Sequence, residues 1–270
     1  MRFRGLLVIS ALALLVAAPA GGRLLDVGEL PDAAGDGAPD ITRLRVGSNA
    51  TAVTFIVDLA NQTKLEENQL VVIFIDSDLN LETGLNGAET VLAMVAGGEV
   101  GLFRWNGTQF ALSESQTAYG YHYGGFRLAV ARSELALTTG TLRFVALTFP
   151  VEGGDASPDS SFAEYTLAND PLTLQIARFA AAKSVVAGKR YTATLQARRS
   201  DLAELSSAGE VVCSAKLGAK KLKVTATFPA DRATCSGVVP KTAKGKMLKV
   251  TVTLTLDGVR VTRTASIKVK

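Results

Sequence analysis

Short runs of alternating apolar and polar residues, cut at close intervals by Gly, Asn, Asp or Pro, constrain this chain more than any other feature. In Val53-Thr54-Phe55-Ile56-Val57-Asp58-Leu59, positions 53, 55, 57 and 59 are apolar, which is the period of a strand with one buried face. Segments of this kind predict strands over residues 41–46, 52–59, 70–75, 90–96, 99–105, 109–112, 119–123, 126–131, 142–149 and 163–166. A second set follows over residues 172–178, 191–198, 210–217, 222–228, 233–238, 247–256 and 259–269. Helical spacing is weak by comparison: residues 133–137 allow one turn and residues 61–68 a polar loop or short helix. Trp105-Asn106-Gly107-Thr108 predicts a hairpin, because Asn-Gly tolerates the positive φ of a type I′ turn. The expected class is all-β.

Charge divides the strands into two sets. Residues 23–170 carry 8 Lys and Arg against 20 Asp and Glu, whereas residues 171–270 carry 19 against 5. The overall formal charge of +4 therefore joins a half of −12 to a half of +14, with two leader arginines making up the difference. The boundary falls at Asn169-Asp170-Pro171, a turn-forming cluster. Two β-sandwich domains are expected, residues 24–168 and 171–270. Seven short strands in the second match an immunoglobulin-like sandwich.

The chain opens with two arginines, an apolar stretch over residues 6–18 and Ala-Pro-Ala-Gly-Gly, the pattern of a signal peptide spanning residues 1–20. The apolar stretch is short for a membrane span, and no second one follows. The expectation is an exported protein, secreted or associated with the cell envelope of a bacterium. Cys213 and Cys235, the two cysteines, both lie in the basic half, and in an exported domain they are expected to form one disulfide.

Candidate chemistry concentrates where residues 70–75 run into Asp76-Ser77-Asp78-Leu79-Asn80-Leu81-Glu82-Thr83-Gly84. Asp76, Asp78 and Asn80 place oxygen-bearing side chains at every second position, which suits a hard cation such as calcium. Backbone oxygens and a distant acid, from Asp36, Asp40, Asp155 or Asp159, would complete such a site. The alternative is a solvated turn in which these side chains cap the backbone. Aromatic residues form a second candidate: Tyr119, Tyr121 and Tyr123 share one strand face, and Trp105 precedes the hairpin turn. Flat rings at a sandwich surface can stack on sugars, while the plainer alternative is core and cross-strand packing.

Catalysis is not expected. His122 is the single histidine, and no serine elbow, phosphate loop or zinc-binding helix motif is present. Lysines 216, 220, 221 and 223 gather at one turn and lysines 241, 244, 246 and 249 at another. No aromatic residues interleave with them, so an anionic cell-surface polymer is expected in preference to nucleic acid. Opposed charges also predict docking between the halves or head-to-tail association, both weakened by salt.

The order of Asp36-Gly37-Ala38-Pro39-Asp40-Ile41, residues 73–84, Leu102-Phe103-Arg104-Trp105-Asn106-Gly107 and Asp155-Ala156-Ser157-Pro158-Asp159 before Phe162–Tyr165 resembles the DOMON-like superfamily. That superfamily includes the family-9 carbohydrate-binding modules of exported actinobacterial proteins, and the resemblance covers residues 24–168. It implies a jelly-roll-like sandwich, often with calcium, that binds sugars or, in other branches, haem. The chain has one Trp where the sugar binders clamp with two, so only Asp76, Asp78 and Asn80 carry over, as cation ligands. The functional expectation is an exported, non-catalytic protein recognising glycans through a calcium-stabilised sandwich. The alternatives are a structural or adhesive envelope protein without a small-molecule ligand, and an accessory module of, or a weak, glycan-processing enzyme.

Overall fold

The computed structural model describes residues 24–25, 28–32, 35, 39–113, 119–122, 125–149, 154–159, 161–202, 206, 209–229 and 231–270; for 24–25, 28–29 and 119–122 it describes the backbone alone. The expected leader, residues 1–20, lies outside them. Two compact units divide the chain, Met1–Pro171 and Leu172–Lys270. No helix among the described residues is long and apolar enough to cross a membrane.

The first unit begins with β1 (Leu24–Leu25), β2 (Gly28–Pro31), β3 (Ile41–Ser48), β4 (Ala52–Leu59), β5 (Leu70–Asp76), β6 (Thr90–Val95) and β7 (Val100–Trp105). It continues with β8 (Phe110–Leu112), β9 (Tyr119–His122), β10 (Phe126–Ala131), β11 (Thr141–Phe149), β12 (Asp155–Ser157) and β13 (Ala163–Thr166). One sheet has the order β1-β13-β11-β5-β6-β7-β8, with β12 on β11, and the other has β2-β3-β4-β10-β9. Their facing sides make the core: Phe55, Val57 and Leu128 from one sheet meet Ile73, Leu92 and Phe144 from the other. The Phe55 and Phe144 rings, 5.2 Å apart, make an aromatic link across the two layers.

The larger sheet is apolar on its back as well. Val72, Phe74, Val91, Phe103 and Phe110 form a second buried cluster there, flanked by partly buried Trp105, Phe149 and Phe162. β5 is therefore covered on both sides: Val71, Ile73 and Ile75 face the core while Val72 and Phe74 face the back. A strand buried on both faces needs a continuous apolar run, and Leu70–Ile75 is one. Each fully buried Val, Ile or Phe contributes about 1.5–3 kcal/mol, so this strand is a principal anchor of the unit.

The second unit contains β14 (Leu174–Ala181), β15 (Ser184–Val185), β16 (Arg190–Arg199), β17 (Glu210–Leu217) and β18 (Lys220–Lys221). β19 (Thr225–Thr227), β20 (Ala233–Val238), β21 (Met247–Leu256) and β22 (Val259–Val269) follow. A four-stranded sheet β14-β16-β20-β19 and a five-stranded sheet β15-β22-β21-β17-β18 enclose a core including Tyr191, Leu195, Val250, Val252 and Ile267. β21 shows the period-two rule plainly, its even-numbered residues Leu248–Leu256 buried and the odd-numbered ones turned outward. Cys213 of β17 and Cys235 of β20 form the expected disulfide, with Cα atoms 5.6 Å apart, and so staple one sheet to the other.

Two local expectations are corrected. The hairpin after Trp105 is not a two-residue turn: Trp105 pairs with Phe110, leaving a four-residue loop in which only Gly107, at φ +102°, has positive φ. Asn106 instead uses its side-chain oxygen to accept from the Thr108 and Gln109 N–H groups, capping the loop. The short strands β1, β2, β12, β15 and β18 were not among those expected; at two to four residues they carry too little pattern to register.

Candidate metal centre

β5 ends at Asp76 and β6 begins at Thr90, with Ile75 directly opposite Thr90. That register sets Glu89 beside Asp76. The carboxylates of Asp76, Asp78 and Glu89 converge so that one oxygen of each lies within 4.8 Å of the others. Glu89 was absent from the acids expected to complete the site. Of those expected, Asp155 and Asp159 converge with Asp32 in a separate group, and Asp36 lies outside the described residues. Asp155 also accepts hydrogen bonds from the Ile41 and Ala156 N–H groups, tying β12 to the start of β3.

The loop between β5 and β6 is built around these acids. Asp76, 1% exposed, accepts from the Leu79 N–H at 2.6 Å and pairs with the Arg143 guanidinium of β11 at 3.0 Å. The first contact holds Leu79 at φ +60°, an uncommon conformation for a branched side chain. Glu89 accepts from the backbone N–H groups of Ser77 and Asp78 and from the Ser77 hydroxyl. Asp78 accepts from the Asn80 N–H at 2.9 Å and the Thr83 hydroxyl at 3.0 Å. The exposed Asn80 side chain accepts from the Glu82 N–H, a turn-capping role. Gly84 sits at φ +67°, and a Cβ there would come within 1.9 Å of the Ala88 carbonyl oxygen. The sharp turn therefore requires glycine at this position.

Burial pushes the Asp76 carboxyl above its ordinary range, against the pull of Arg143 and the Leu79 N–H. Glu89 is raised in the same way, by burial first, with repulsion from Asp78 and Asp76 added. At Asp78 desolvation is outweighed by the Asn80 N–H and the Thr83 hydroxyl, and its carboxyl falls below the ordinary value. Two of the three acids thus resist ionisation where they stand. An added cation would relieve that strain, and an all-oxygen donor set is what calcium takes.

The aromatic candidates are divided between the two sheets. Trp105 belongs to the larger sheet, where its half-buried indole packs edge-on against Phe110 with centroids 5.2 Å apart. Tyr119 and Tyr121 lie on β9 at the margin of the other sheet, opposite Ala129 and Arg127, and Tyr123 lies outside the described residues. Nothing in the one-dimensional pattern revealed that these residues sit on different layers.

No family model matches this chain, and no curated protein matches it either. Among solved structures, the titin domains Z1Z2 in complex with telethonin give a TM-score of 0.31 at 13% identity, covering 83% of this chain and 89% of that one. The I-band fragment I67–I69 from titin gives 0.28 at 10% identity, over 84% and 64% respectively. Scores of this size carry no argument about activity or partners. The class of fold, all-β with two-layer sandwiches, rests on the sheets themselves.

Proposed function

We propose that this protein is an exported, non-catalytic module of a bacterial cell envelope whose amino-terminal sandwich holds calcium at Asp76, Asp78 and Glu89. The observation that carries this reading is the convergence of three carboxylates at the end of the doubly buried strand β5. Fully ionised, as a bound cation would make them, three carboxylates beside one guanidinium would carry two negative charges, the complement of a divalent ion. Each carboxylate offers about four lone-pair directions, so the existing hydrogen bonds leave room for a cation. The resemblance to DOMON-like modules extends the reading to glycan recognition, with Trp105 as the stacking residue. Its partial exposure supports that role. The carboxyl-terminal unit would serve as spacer and as contact with an anionic cell-surface polymer.

Calorimetric titration of EDTA-stripped residues 23–270 with calcium tests the reading. Saturable binding that disappears in Asp78→Asn and in Glu89→Gln supports it. Absence of heat together with an unchanged melting temperature rejects the calcium site. A glycan screen with calcium present, repeated on Trp105→Ala, separates the sugar-binding reading from a purely structural or adhesive one.

A further inference from the structure

Two lysine groups far apart in sequence, residues 216–223 and 244–249, meet on one sheet of the second unit. Lys216 of β17 stands directly opposite Lys221 of β18 on one side and Lys249 of β21 on the other. Lys268 of β22 faces Met247, and is therefore the diagonal neighbour of Lys249. All four lysines are exposed, on the face opposite buried Ala215, Leu217, Leu248, Val250 and Ile267. Four ammonium groups thus form a row across four adjacent strands. With strands about 4.8 Å apart and diagonal neighbours about 7–8 Å apart, the row spans roughly 17 Å.

Like charges directly opposite one another destabilise a sheet, and this row has two such pairs. None of the four lysines has an ion-pair partner among the described residues. The acids of the unit lie elsewhere: Asp201 is bonded to Arg199, Glu210 is opposite Thr255 at the other end of the sheet, Asp231 is in the β19–β20 turn of the other sheet, and Asp257 is in the β21–β22 turn. Glu204 lies outside the described residues.

We propose that this row is the docking site for a linear polymer of repeating phosphodiesters. A row of one sign with regular spacing matches a chain whose charges also recur. All four residues are Lys, a compact point charge with rotatable donors that binds phosphate without the fixed two-pronged geometry Arg brings to carboxylate and phosphate alike. A protein partner is disfavoured, because Lys is depleted from protein interfaces and no aromatic anchor stands in the row. Nucleic acid is disfavoured on the same ground, since among the described residues of these four strands no aromatic ring stands beside the row to stack on a base. The inference rests on the envelope reading above only for where such a polymer is met. It is tested in EDTA, so failure of the calcium site leaves it standing.

The experiment is a binding isotherm of residues 23–270 against synthetic poly(glycerol phosphate) at several salt concentrations. Lys216→Gln/Lys249→Gln is the test variant, and Arg260→Gln/Arg263→Gln, away from the row, is the control. The expected result is binding whose logarithm falls linearly with that of salt. The test variant should weaken it at least tenfold at low salt and reduce the slope by about two charges. The control should stay within about threefold, and the test variant should melt no lower than the parent because a repulsion has been removed. Equal losses in the two variants, or no saturable binding at low salt, would overturn the proposal. Equal or tighter binding of a polyuronate of matched charge would overturn the phosphodiester assignment, and tighter binding of single-stranded DNA would overturn the exclusion of nucleic acid.

Discussion

Glu89 decides what the loop after β5 can do. In metal-free protein its carboxyl and that of Asp76 are raised by burial, so the folded state holds their protons more tightly than the unfolded state. Stability from these two groups is therefore present at acid pH and declines as pH rises through their ordinary values, 3.8 and 4.5, and beyond. Asp78, lowered, works in the opposite sense and loses its contribution as pH falls below 3.8. Melting curves of the EDTA-treated protein should accordingly show Glu89→Gln more stable than the parent at neutral pH, with the advantage shrinking toward pH 4. With calcium at a hundredfold excess over Kd the parent should gain about 2.7 kcal/mol, or several degrees in Tm, while Glu89→Gln should gain almost nothing. Asp76 and Asp78 were legible in the sequence because alternation marks them. Glu89 was not, because its place depends on the pairing of Ile75 with Thr90 across a long loop, and no local rule fixes that register.

Among the elements, the strands that could be read were those long enough to show a period. β17, β20, β21 and β22 have the expected bounds, whereas two-residue strands such as β18 exist only because a neighbour pairs with them. The turn after Trp105 was misjudged for a related reason: Asn-Gly allows a type I′ turn, but the pairing of Trp105 with Phe110 demands a longer loop. Gly84 gives the β5–β6 loop a sharp test. Gly84→Ala should cost more than the 1–2 kcal/mol of a left-handed alanine, given the contact with Ala88, and should abolish calcium binding by displacing Glu89. In the second unit, reducing Cys213–Cys235 reopens a link between residues 22 apart, worth about 3 kcal/mol on the chain-entropy model. Calorimetry in a reductant should lower one of two melting transitions and leave the other in place.

For the whole molecule, charge alone separates an acidic half of the sequence from a basic half, since net charge needs no three-dimensional information. The same opposition predicts concentration-dependent association at low ionic strength that vanishes in high salt, a result sedimentation velocity would read directly. The face on which any ligand rests was not legible, because Trp105 and the tyrosines reveal their separate layers only once the strand order is known. The double covering of β5 has a consequence for how a bound ion would be felt. Amides on a strand packed from both sides exchange with solvent mainly when the entire sandwich opens. Acids borne on its end would therefore couple to that rarest opening, so that calcium would slow exchange throughout the sandwich and not merely quieten one loop.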